Sequence, residues 1–285
     1  MRRRIHLHLL PFVLFIWVSA CGETRSTTSQ TEGSSDRPTV LDLQPYVGRL
    51  VTVTGRLNGD SLRLLFDSGG GETLLAPWVA EAIPCVPAGR SVGFRMSGER
   101  VEWPLCHGVR LNLAGQTVVD SVAGIWDVMA ILPEGLPRLD GIISLETFRD
   151  RLLILHLAES RLELHSEGTF RERVGTMIPA PMRVATGNDG SHLTVFLQGR
   201  LADTDQSAWL LLDSGNLAET LLAPHVRSDE ATSDATIVFS DSLAVTAPAR
   251  TADIIYDGAL SEAFLRQIIV ALDLERGQAW VAPAS

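Results

Sequence analysis

The chain contains no lysine: all 24 of its basic residues are arginine, which reads as codon usage and not as function. Aromatic residues are scarce, at 6% of 285 residues. The 24 basic residues are outnumbered by 34 acidic ones, for a formal charge of -10. No basic patch interrupts that balance, so nucleic acid is excluded as a partner. The longest apolar run, Leu9 to Val18, is too short to span a bilayer. No Gly-x-Ser-x-Gly elbow is present. His156, His165, His192 and His225 lack metal-ligand spacing, so neither a metal nor another cofactor is expected. There are only three cysteines, Cys21, Cys85 and Cys106.

The first of these follows a complete targeting pattern. Arg2, Arg3 and Arg4 form a positive segment, Leu9 to Val18 an apolar one, and Val18-Ser19-Ala20-Cys21 closes it. The junction resembles a bacterial lipobox. That resemblance implies a signal peptide over 1–20, lipidation of Cys21, and a lipoprotein anchored in the cell envelope. Gly22 after the cysteine is similar to the outer-membrane pattern of Gram-negative lipoproteins. Loss of the three arginines would take the charge from -10 to -13. An ordinary secretory signal is the other reading. Residues 21–39 are rich in Ser, Thr, Gly and charge, a flexible tether. Cys85 and Cys106 are then either a disulfide suited to an oxidising compartment or two buried thiols. A bridge would contribute about 3 kcal/mol by closing a loop of roughly 20 residues.

The rest of the chain is built around a repeat. Residues 64–77 read LLFDSGGGETLLAP and residues 210–224 read LLLDSGNLAETLLAP. Each copy is an apolar strand, Asp-Ser-Gly, a small-residue turn, and ETLLAP. The halves also end alike. DGIISLETFRDRLLILHLAESRLEL from Asp140 aligns without a gap to DGALSEAFLRQIIVALDLERGQAWV from Asp257. A period of roughly 120–145 residues exceeds any solenoid repeat and implies two homologous units, 40–168 and 169–285. Both read as short strands with little helix, an all-β protein. Expected strands include Arg49–Leu57, Ser61–Phe66, Val109–Leu113, Thr117–Val122, Ile125–Met129 and Leu193–Leu201. Residues 91–105 read as a long hairpin that turns at Ser97-Gly98.

One isolated Asp-Ser-Gly is ordinary turn chemistry. A carboxylate at the end of a fully apolar strand is different, because burial there demands hydrogen bonds or a function. Asp67 and Asp213 both have that setting. At these residues the chain resembles the aspartic protease superfamily, in its retropepsin-like and two-lobed pepsin-like forms. Thr73 and Thr220 stand where the family places Thr or Ser before aliphatics, and DGIISLETF and DGALSEAFL are similar to its later segment. The resemblance covers the chain from about Val40 onward and implies two β-barrel lobes with short helices. It further implies that Asp67 and Asp213 meet in the interlobe cleft, share a proton and activate one water against a peptide bond. Ser68 and Ser214 would bond across the interface, and Gly69 and Gly215 would let the loops approach. The hairpin would be a flap with Met96, Ser97 and Gly98 at its tip, unless it is an ordinary surface hairpin. The implied partner is a polypeptide substrate or peptide ligand. With both lobes in one chain the expected state is a monomer. A catalytically silent peptide-binding module remains the alternative.

Some residues depart from the family pattern. Ser144 and Ser261 stand in place of glycines that would pack beneath the catalytic loops. The turn after Asp213 has one extra residue. From Asp67 to Asp140 is 73 residues, but from Asp213 to Asp257 only 44, so the second unit has room for no flap. No tyrosine lies in the flap; Trp103 is nearest and is expected only to pack. Glu72 and Glu219 read as solvated loop carboxylates, or as acceptors for substrate backbone. Asp120, Asp127 and Asp253 read as strand-end residues.

Overall fold

A computed structural model describes residues 37–187, 190–228 and 233–284. The expected signal peptide, the expected lipidation site Cys21 and the expected tether up to residue 36 lie outside the described residues. The first half carries β1 (Thr39–Asp42), β2 (Gln44–Tyr46), β3 (Leu50–Leu57), β4 (Asp60–Phe66), β5 (Leu74–Leu75), β6 (Val86–Phe94), β7 (Arg100–Leu113), β8 (Gln116–Ile125), β9 (Gly141–Ile143), β10 (Leu152–His156) and β11 (Arg161–His165). The second carries β12 (Ile178–Ala180), β13 (Met182–Thr186), β14 (Leu193–Leu201), β15 (Ser207–Leu212), β16 (Thr220–Leu222), β17 (Ser233–Ser240), β18 (Leu243–Thr251), β19 (Gly258–Leu260), β20 (Ile268–Asp273) and β21 (Gln278–Pro283). Short helices α1 (Pro77–Glu81), α2 (Glu167–Val174) and α3 (Glu262–Leu265) complete an all-β architecture. Helix α2 spans the expected boundary at 168/169.

The duplication is visible in the strand orders. One sheet runs β2-β3-β4-β9-β5-β8-β7-β6 and closes through β3–β7. Another runs β13-β14-β15-β19-β16-β18-β17 and closes through β14–β17. Without β6, the orders are equivalent strand for strand. In each barrel one parallel pairing places the key strand inside: Phe66 opposite Ile143, and Leu212 opposite Leu260. Parallel strands are covered on both faces, which is why Leu64–Phe66 and Leu210–Leu212 are apolar without alternation and all buried.

The third sheet, β1-β11-β10-β20-β21-β12, takes strands from both halves. At its centre Ile154 pairs with Ala271. These are counterpart positions of the repeat, each 14 residues after its Asp-Gly. A pseudo-twofold axis therefore passes between them.

Local sequence explains several turns. Asn58 and Gly59 both have positive φ, 52° and 96°, and join β3 to β4 as a two-residue hairpin loop. Gly141 and Gly258 sit where a Cβ would lie 2.3 Å from the Leu74 carbonyl oxygen and 2.7 Å from that of Leu221. The repeated Asp-Gly is thus needed for close packing of β5 on β9 and of β16 on β19. Two expectations are corrected. Val109–Leu113 is not a separate strand but continues β7 past Gly108, whose φ of 82° lets the chain bend without leaving the ladder. The expected strand Ile125–Met129 ends at Ile125; Asp127 accepts from the Met129 amide at 3.0 Å and starts a 3₁₀ turn over Val128–Ile131.

Candidate active site

Strands β4 and β15 deliver Asp67 and Asp213 to one place. The Gly69 and Gly70 amides donate to Asp67 Oδ1 at 2.9 and 3.1 Å, and the Gly215 amide donates to Asp213 Oδ1 at 3.0 Å. The next residues lock the two loops together. Ser68 N donates to Ser214 Oγ and Ser214 N to Ser68 Oγ, both at 2.9 Å. Each hydroxyl then donates to the opposite strand, Ser68 Oγ to the Leu212 carbonyl at 2.8 Å and Ser214 Oγ to the Phe66 carbonyl at 3.3 Å. Beneath them, a Cβ on Gly69 would lie 2.5 Å from Asp213 Cγ, and one on Gly215 2.7 Å from Asp67 Oδ1. Each glycine floors the opposite carboxylate.

The two carboxyls act on one another and titrate as a pair. Burial raises the Asp67 carboxyl above the usual range, against the opposing amides of Gly69 and Gly70. Burial and then the Asp67 charge raise Asp213 further, well above that range. Asp213 is only 6% exposed, whereas Asp67 is partly open. Three loop amides favour the Asp67 anion, those of Gly69, Gly70 and Gly215, against two for Asp213, those of Gly215 and Asn216, so Asp67 is the better-stabilised anion of the pair.

The serines that replace the expected glycines do not displace the loops. Ser144 and Ser261 are buried and cap short helical turns, accepting from the Glu146 amide at 3.2 Å and the Phe264 amide at 3.3 Å. Their own amides donate to Thr73 Oγ1 at 3.5 Å and Thr220 Oγ1 at 3.3 Å. Thr73 also bonds Thr147. The aspartates before the repeated glycines have matching work. Asp140 accepts from the Arg63 amide and the Trp78 indole; Asp257 accepts from the Trp209 amide and bonds the His225 imidazole. Trp78 and His225 both follow LLAP, so the end of the repeat anchors each barrel.

A cavity of about 340 Å³ opens over the pair, lined by both halves and mostly by apolar side chains. The hairpin of β6 and β7 roofs it. At its tip Arg95 N donates to the Glu99 carbonyl at 2.9 Å, Gly98 turns at a φ of 82°, and the Met96 carbonyl accepts from Ile255 N at 3.0 Å. The flap thus touches the second half. A disulfide between Cys85 and Cys106, with Cα atoms 5.3 Å apart, closes its root.

Glu72 is not a solvated loop carboxylate. It is 5% exposed and accepts from Ser91 Oγ at 2.5 Å, Ser191 Oγ at 3.2 Å and the Trp103 indole at 2.7 Å. Trp103 therefore donates as well as packs. Glu219, its counterpart, is half-exposed and faces Arg250 at 3.5 Å. Sequence reading passed over Tyr256 and took His192 only as lacking metal-ligand spacing; both line the cavity. Burial and the nearby Asp213 charge raise the Tyr256 phenol. His192 packs on Gly71, where any Cβ would overlap its ring. The extra residue after Asp213 is accommodated from the other half: Arg49 donates to the Leu217 carbonyl at 3.1 Å and pairs with buried Glu262 at 3.0 Å. No group of three or more His, Cys, Asp or Glu side chains among the described residues could hold a metal ion.

No protein-family model matches the chain. No curated protein matches it either. Among solved structures, basic 7S globulin from soybean is similar over 87% of this chain and 95% of that one, with a TM-score of 0.56 and 9% identity. That likeness shows the fold, a two-lobed pepsin-like arrangement of β-barrels.

Proposed function

We propose that the protein is an aspartic-type endopeptidase that hydrolyses peptide bonds with Asp67 and Asp213. The observation that carries this reading is the buried carboxylate pair, held by reciprocal serine bonds beneath a flap-covered cleft. Two buried carboxyls with raised proton affinity are poised for acid–base work. Asp67, the anion, would take a proton from water; Asp213, the acid, would polarise the scissile carbonyl. The amine would then leave after protonation. The substrate is a polypeptide in extended form, its backbone paired with the flap.

The lipobox-like pattern that ends at Cys21 supports a lipid anchor for this activity in the cell envelope, facing the periplasm or the cell surface. With both carboxylates in one chain, the working unit is a monomer.

One observation favours the silent peptide-binding reading instead. The flap tip is bonded to Ile255, so the cleft is roofed, an arrangement that also suits retention of a bound peptide. Incubation with a mixed peptide library, followed by mass spectrometry, separates the two readings. New termini made by the wild-type protein and not by Asp67→Asn support the peptidase. Peptide retention without cleavage supports the binder.

A further inference from the structure

The repeat supplies a glutamate to both halves, in the same ETLLAP, yet only Glu72 is buried. It stands five residues after Asp67, and its carboxylate collects donors from three separate places. Ser91 Oγ comes from β6 and Trp103 Nε1 from β7, the two strands of the flap. Ser191 Oγ comes from the second half, just before β14. Among the described residues, no other carboxylate lining the cleft joins the loop after Asp67, the flap and the opposite lobe.

The partner geometry is built, not incidental. The Trp103 indole lies between Gly93 of β6 and Gly124 of β8, where a Cβ would come within 2.5 Å of its ring in both cases. Any side chain at either position would push the indole off its acceptor. Ser91 and Gly93 share the face of β6 that looks toward Trp103, while Val92 and Phe94 point the other way and are exposed. A buried carboxylate without donors is costly, and these three donors satisfy it.

We propose that Glu72 is a positioning residue that fixes the flap over the carboxylate pair by accepting hydrogen bonds from both flap strands, and so governs how substrate is admitted and held. This rests on the peptidase reading for its kinetic consequence, but the flap restraint itself does not. Above the disulfide at its root, the flap is held midway along its strands by Glu72 and at its tip by the Met96–Ile255 bond. Opening the tip breaks one backbone bond; the Glu72 bonds keep the hairpin aligned for reclosure.

The test compares Glu72→Ala, Glu72→Gln, Ser91→Ala and the counterpart Glu219→Ala in the full chain. Amide hydrogen exchange over residues 86–104 is read beside peptide hydrolysis. Glu72→Ala should speed flap exchange and raise KM about ten-fold, the scale of one or two lost hydrogen bonds, with a smaller change in kcat. Glu72→Gln, which keeps an acceptor for the indole, should restore part of the protection. Ser91→Ala should loosen the flap less than Glu72→Ala does, and Glu219→Ala should change neither readout. Unchanged flap exchange in both Glu72→Ala and Ser91→Ala, or a fall in kcat with KM unaltered, would overturn the proposal. A wild-type protein that cleaves nothing would count against the peptidase reading only, since the exchange measurement still decides the flap restraint.

Discussion

Ser68 and Ser214 exchange hydrogen bonds through a local twofold, each amide donating 2.9 Å to the other's hydroxyl. They are 146 residues apart and are counterparts in the repeat. The same axis reappears in the interlobe sheet, where Ile154 pairs with its counterpart Ala271. The carboxylate pair therefore belongs to neither lobe alone; the seam between lobes makes it.

Loss of either hydroxyl should be felt by both halves. Ser68→Ala leaves the Ser214 amide without its acceptor in a buried seam, at a cost of roughly 1–3 kcal/mol, and Ser214→Ala does the same to Ser68. Because the residues share one network, the double substitution should cost less than the sum of the two singles. Denaturant unfolding of the three variants measures this.

The carboxylate pair should weaken the fold at neutral pH. Both folded carboxyls are raised above their unfolded range, chiefly by burial. Their contribution to stability is therefore fully present below the unfolded value, about 3.9, and is lost as pH rises through the folded values. Asp213→Asn removes that loss. Its melting temperature should exceed that of wild type at pH 7, and the difference should vanish near pH 3.

His156 should act in the opposite sense. It is 2% exposed, neither ring nitrogen has a hydrogen-bond partner, and Glu163 stands 3.8 Å away. Burial lowers its proton affinity despite that carboxylate. The unfolded chain therefore takes a proton that the fold refuses, and stability falls as pH drops through about 6.5. His156→Leu should flatten the acid side of the thermal-stability profile.

The repeated glycines before β9 and β19 should not tolerate even a methyl group. Gly141→Ala and Gly258→Ala would press on the Leu74 and Leu221 carbonyl oxygens. Those atoms belong to paired strands and cannot swing away, so each change should cost about 2 kcal/mol or more. Gly168→Ala in α2 meets nothing within 4 Å and should be neutral or mildly stabilising. Thermal melts of the three proteins provide the comparison.

What the sequence made legible was what repeats locally. An unalternating apolar strand ending in Asp-Ser-Gly, found twice, is enough to mark a carboxylate at the end of an inner strand in each half. The bonds of Ser68 and Ser214 across the interface were implied by the family resemblance, not by the pattern itself. Glu72 was misread because its donors lie 19, 31 and 119 residues away, and no periodicity reports such separations. Arg49 was missed for the same reason, reaching a carbonyl 168 residues on. Ser144 and Ser261 looked like poor substitutes for glycine; only the turns that follow them reveal them as caps. Ile125–Met129 carried a strand-like run of apolar residues, and Asp127, read as a strand-end residue, redirected it into a turn.

The most direct test of the account is the pH profile of kcat/KM for peptide cleavage between pH 3 and 7, measured on wild type, Asp67→Asn and Asp213→Asn. A shared proton predicts a bell-shaped acidic profile for wild type and loss of cleavage by at least about a thousand-fold in either variant. Cleavage that survives either substitution would contradict the paired-carboxylate mechanism.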